Sequence, residues 1–137
     1  PNWKVPFVVE KSGAVIVGEE SCVGERGTRN LVAEDGGSRG EILDRIAARY
    51  LEIDCACFTP NEERLNHIVE MARCYQADGV LHYALQFCTP YTVEAHRVEK
   101  VLGREGIPLL KLETDYSMED LPQLETRVQA FLEIVRR

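Results

Sequence analysis

The 137-residue chain has no apolar run near the roughly 18 residues of a membrane-spanning helix. Its start lacks the charged-then-apolar layout of a signal peptide. Positive charge is short, with 16 Lys+Arg against 23 Asp+Glu and a formal net charge of −7. Neither a nucleic acid nor an anionic membrane surface is therefore an expected partner. There is no internal repeat or low-complexity stretch. Glycine fingerprints for dinucleotides or phosphate are missing too, since Gly24-Glu25-Arg26-Gly27 is too short. No Met opens the chain; it enters at Pro1 and runs into Asn2-Trp3-Lys4. On these grounds it is read as a piece cut from a larger protein.

What is present is ordinary globular material, 45% hydrophobic and 28% charged, enough for a single domain over residues 1–137 with one core. Five cysteines, Cys22, Cys55, Cys57, Cys74 and Cys88, make an odd count without a secretory signal. A disulfide framework is not expected, and a reducing cytoplasm is the natural setting. Thiols there serve as buried small hydrophobes, as metal or cluster ligands, or as redox groups.

Short uninterrupted apolar runs at 13–18, 79–85 and 107–112 have the composition of strands covered on both faces. Between and after them, helical spacing predicts helices over 41–51, from an Asn61 cap to Tyr75, over 92–104 and over 121–135. The segment 33–38 reads as a flexible turn, and Ser117-Met118-Glu119-Asp120 resembles a capping arrangement. Alternation of this kind requires crossover connections. The expected fold is an α/β three-layer sandwich with a short, mostly parallel sheet of three or four strands, Rossmann- or flavodoxin-like.

Ligands of such sheets gather beyond the carboxyl ends of the strands. The polar residues fall there: Glu19, Glu20, Cys22 and Arg26 after the first run, Gln86, Cys88 and Tyr91 after the second, and Glu113 and Asp115 after the third. Cys55-Ala56-Cys57 precedes a helix on the same rim, so four thiols converge there and Cys74 does not. Thiolates are soft ligands for iron–sulfur clusters and zinc. Zinc favours Cys-x2–4-Cys pairs, which are absent. Ligands on several loops fit a cluster lying between domains, while the plainer alternative is structural thiols. His82 reads as a core histidine, His67 and His96 as surface residues, and Glu19-Glu20 as a loop pair.

These residues resemble the C-terminal domain of the 2-hydroxyacyl-CoA dehydratase and benzoyl-CoA reductase family, also called the 2-hydroxyglutaryl-CoA dehydratase D-component family. The resemblance rests on Asn2-Trp3-Lys4, Glu19-Glu20-Ser21-Cys22-Val23-Gly24, Cys55-Ala56-Cys57-Phe58-Thr59-Pro60-Asn61, Leu85-Gln86-Phe87-Cys88, Gly106-Ile107-Pro108 and Leu112-Glu113-Thr114-Asp115-Tyr116. Glu-Glu-Ser-Cys and Cys-x-Cys-Phe-Thr-Pro-Asn look closest to the branch that includes double-cubane iron–sulfur proteins. It implies two α/β domains of similar fold with an oxygen-sensitive iron–sulfur cluster between them, either 4Fe–4S or double-cubane. An ATP-hydrolysing iron–sulfur activator would feed it low-potential electrons. The substrate would be an acyl-CoA, reduced to a ketyl radical that expels its 2-hydroxyl, or a small molecule in the double-cubane branch.

Carried over by position, the resemblance makes Cys22 and Cys88 cluster ligands, with Cys57 or Cys55 as a third. Glu20 is the implied catalytic residue, and Gln86 and Tyr91 lie around the ligands. Implied partners are the N-terminal half of the parent protein, the activator, and a second subunit in a homodimer or heterodimer. The piece alone would then be inactive. Two rival readings remain: a non-catalytic α/β binding or assembly module whose thiols only pack, and a dithiol redox protein using Cys55 and Cys57, whose spacing is strained for a disulfide.

Overall fold

The structure, a computed structural model, describes residues 3–22, 24–52, 54–58 and 60–136. Asn2, Val23 and Thr59, parts of the blocks that carry the resemblance, lie outside them.

Two strands, β1 (Val80–Leu85) and β2 (Leu109–Thr114), run parallel with Val80 opposite Leu109 and Leu85 opposite Thr114. Parallel neighbours cannot be joined by a hairpin, so the chain crosses between them through a helix, Thr89–Arg104. Side chains alternate across the sheet. Leu81 and Tyr83 of β1, with Leu110 and Leu112 of β2, pack onto the helices Lys4–Lys11 and Leu121–Val135. Val80 and Leu109 turn the other way, onto Leu65, Ile68 and Val69 of the helix Glu62–Cys74 and Val98 and Leu102 of Thr89–Arg104. With Arg39–Leu51, these helices are numbered in chain order: α1 (Lys4–Lys11), α2 (Arg39–Leu51), α3 (Glu62–Cys74), α4 (Thr89–Arg104) and α5 (Leu121–Val135). The result is helix on sheet on helix, the α/β three-layer arrangement expected from the pattern.

The strand count differs from expectation: the sheet has two strands, not three or four. The run at 13–18 has strand composition but pairs with neither strand. It passes from α5, where Arg136 holds the Gly13 carbonyl at 2.9 Å, to α3, where Gly18 lies against Met71 and Tyr75. A cleft of about 900 Å³ separates it from the open edge of β1. Val80 and Gln86 direct their N–H groups to Pro108 and Thr114 on the β2 side. Alternation therefore leaves the N–H and C=O groups of Leu81 and Tyr83 facing that cleft, while the Leu85 carbonyl accepts from Cys88 N–H at 2.9 Å. Apolar composition is a local property; strand pairing depends on what the segment meets.

Other differences have local causes. α1 was not anticipated, and its Val5, Val8 and Val9 are buried with Lys4. α4 begins at Thr89, three residues early, because Pro90 suits the first helical turn. Asn61 precedes α3 but does not cap it; its Nδ2 donates instead to the Cys55 carbonyl at 2.8 Å. Asp120 precedes α5 without capping it, its carboxylate being taken by Lys4 at 2.6 Å and Thr114 at 2.6 Å.

Candidate functional site

The carboxyl end of β1 leads through a tight turn, in which Phe87 has a positive φ of 68°, to Cys88 immediately before α4. One turn into α4, Tyr91 points back across the end of the sheet. The segment 19–30 enters from the other side and winds through a single helical turn at Glu25–Gly27. These pieces meet at Arg26. Its Nη1 donates to Cys22 Sγ at 3.3 Å, its Nε and Nη2 to Glu20 Oε1 at 2.9 and 2.6 Å, and Nη2 also to the Tyr91 hydroxyl at 3.0 Å.

The second oxygen of Glu20 is held by Arg64, from the first turn of α3, at 2.7 Å. Arg64 also pairs with Glu94 of α4 and stacks over the Tyr91 ring at 5.1 Å from its centre. Both Arg64 and Glu94 are buried. Two cations and two anions thus interlock beneath the loop ends. Isolated buried charges are costly, and this closed alternation is what makes their burial tolerable.

The Cys55 loop is fastened to the same place. Arg29 pairs with Asp54. Arg49 reaches from α2 to the carbonyls of Asn30, Gly27 at 2.9 Å and Arg26 at 3.4 Å. Asn30 donates to Glu52 at 2.8 Å. Burial alone would push the Cys55 thiol up, but hydrogen bonds from the Cys57 backbone and side chain, with the Arg26 cation, bring it below its ordinary value. Cys57 moves the other way, raised first by its hydrogen bond with Cys55. The two share a proton environment.

Cys22 and Cys55 therefore adjoin one guanidinium, with Cys57 beside Cys55 and Cys88 one helical turn from the Tyr91 contact. None of the five thiols is a core residue: Cys22, Cys57 and Cys74 are exposed, Cys55 and Cys88 half-buried. Cys74, ten residues beyond Arg64, is about 15 Å along α3 by helical rise. Among the described residues no three His, Cys, Asp or Glu side chains could share a single metal ion. A cluster of several irons takes one sulfur per iron, and thiols are the donors such a cluster uses.

Glu20, expected to be catalytic, has both oxygens engaged by arginines. Gln86 is exposed. His82 is buried against Tyr91, ring centres 6.0 Å apart, and its Nε2 has no hydrogen-bond partner among the described residues. Burial, then the Arg64 cation, lowers its pKa, so it is neutral at pH 7. His67, expected at the surface, is half-buried.

Two residues of the site escaped the sequence reading. Arg64 and Glu94 each open an apolar stripe, Arg64-Ile68-Ala72 and Glu94-Val98-Leu102, at helical spacing. A charge in register with such a stripe signals buried pairing, but its partner lies on another helix. Gly24 stands in the motif block read from the sequence, but its reason is structural: a Cβ there would overlap the Glu19 carbonyl oxygen, so the turn that presents Cys22 closes only over glycine.

The chain is 41% identical over 133 residues to the dehydratase subunit YjiM of Escherichia coli, covering 96% of this chain and 34% of YjiM. It is 31% identical over 127 residues to the (R)-phenyllactyl-CoA dehydratase beta subunit of Clostridium sporogenes, covering 92% and 33%. It is 30% identical over 70 residues to the (R)-2-hydroxyglutaryl-CoA dehydratase subunit beta of Acidaminococcus fermentans, covering 51% and 18%. The chain spans about a third of the length of the first two. The family described as 2-hydroxyglutaryl-CoA dehydratase, D-component, matches residues 1–135, and the chain belongs to that family.

Proposed function

We propose that this chain is the cluster-binding part of a dehydratase or reductase subunit acting on a 2-hydroxyacyl-CoA or a related small molecule. Cys22, Cys88 and one of Cys55 or Cys57 would be its contribution to an iron–sulfur cluster completed by the remainder of the parent protein. The observation that carries this is the gathering of thiols from separate loops around Arg26 at the carboxyl end of the sheet. When bound, such a cluster supplies one-electron chemistry whose potential the protein sets.

The chain's own residues hold this arrangement in place. Glu20 and Arg64 fix Arg26, Tyr91 braces both arginines, and Arg49 and Arg29 hold the two cysteine loops together. The cleft beside β1, whose lining includes Cys88 and Tyr91, lies on the side from which substrate would approach. An ATP-dependent iron–sulfur activator and a second subunit are the partners this function requires, in a reducing cytoplasm.

The test is anaerobic reconstitution of the full-length parent, followed by iron analysis and visible absorbance. Cys22→Ser and Cys88→Ser each lose iron and the broad visible band, and only one of Cys55→Ser and Cys57→Ser does. Unchanged iron content in both the Cys22 and Cys88 variants overturns the assignment.

A further inference from the structure

We propose that Arg26 is a positioning residue that sets the electronic environment of the thiol rim, raising the reduction potential of the group the cysteines hold. This rests on the cluster-binding function proposed above.

A loop arginine beside an acid is usually a solvated ion pair or a free clamp for a ligand anion. Arg26 is neither. Its side chain is only 9% exposed, and its donors are already directed to protein groups: Nε and Nη2 to Glu20, Nη2 also to Tyr91, Nη1 to Cys22 Sγ. A guanidinium so occupied has little left for a substrate carboxylate or phosphate. Its fork is instead spent on orientation.

The support behind it is equally specific. Arg64 grips the far oxygen of Glu20, Glu94 grips Arg64, and Arg49 ties down the Arg26 and Gly27 carbonyls. Arg26 and Glu20 cancel in charge, as do Arg64 and Glu94, so the four-membered network carries no net charge. What remains directed at the rim is the N–H donated to sulfur. A hydrogen bond to a ligating sulfur withdraws charge from it and favours the reduced, more negative state.

The experiment is a redox titration of the reconstituted full-length parent, monitored by its spectrum, with iron content measured alongside. Arg26→Met removes the donor but no ligand: iron is retained, and the midpoint potential moves to a more negative value. Arg26→Lys keeps the charge without the fork and gives a smaller shift in the same direction. Should Arg26→Met lose iron, Arg26→Lys carries the test, and a lower midpoint with iron retained supports the proposal. A midpoint unchanged from wild type in every iron-loaded Arg26 variant overturns it. A wild-type protein that takes up no iron overturns the cluster-binding function and this proposal with it, an outcome distinct from a loaded protein indifferent to Arg26.

Discussion

Single residues decide whether the loop ends can form a site at all. Gly24 has an ordinary negative φ of −92°, so its need for glycine is steric rather than conformational. The Glu19 carbonyl occupies the space of its missing side chain, and Glu25 N–H donates to that same carbonyl at 2.9 Å. Gly24→Ala forces this turn open and destabilises the chain by about 1–3 kcal/mol, the usual cost of overpacking. Urea unfolding of the variant beside wild type measures it. Nothing in the sequence near Gly24 announces this, because the clashing atom belongs to a backbone turn that exists only once the loop has closed. The cysteines, by contrast, were legible from their residue type and their positions after apolar runs.

At the scale of elements, α1 shows how a short helix is anchored. Lys4 is buried at its start and its Nζ lies 2.6 Å from Asp120, 2.7 Å from the Ser117 carbonyl and 3.6 Å from Asp115, beyond the end of β2. Lys4→Met keeps the apolar stem and removes the charge, leaving Asp120 with Thr114 alone. A fully buried pair loses about 3–5 kcal/mol when one partner is removed. Since both carboxylates here reach solvent, about 2 kcal/mol is expected. The checking measurement is the shift in denaturation midpoint, with circular dichroism confirming retained helix. α2 is the opposite case. Its start is fixed by a capping box, Ser38 accepting from Glu41 N–H while the Glu41 carboxylate accepts from Ser38 N–H, yet none of its residues is buried. Its helical spacing was readable in sequence because capping and periodicity are local signals. α1 was not, since it is only eight residues long and a proline stands at Pro6.

The whole molecule places a neutral histidine between its layers. His82 sits on β1 facing α3 and α4, with Tyr91, Arg64 and Glu20 around it and Lys111 on the neighbouring strand. Burial, then Arg64, holds its folded pKa below the ordinary value of 6.5. Once the pH falls under that value, the unfolded chain binds more protons at this position than the folded one. Stability is therefore unaffected above about pH 6.5 and declines as pH falls through the window down to the folded pKa. His67 shifts in the same direction, by burial and Arg29, and adds to the decline. Denaturant titrations at about pH 7.5 and about pH 5.5 check this: wild type loses stability at the lower pH, and His82→Phe loses less.

Residue type and spacing were enough to determine the layered α/β class, the two strands that pair, and the helices α2, α3, α4 and α5. Those follow from periodicity and chain direction, which operate over a few residues. Only the tertiary structure decided that the run at 13–18 stays off the sheet, that Glu20 lies between two arginines, and that Arg26 donates to Cys22. Each depends on side chains 40 or more residues apart in sequence, or on the closure of a loop, and no local pattern encodes which of many possible partners will arrive.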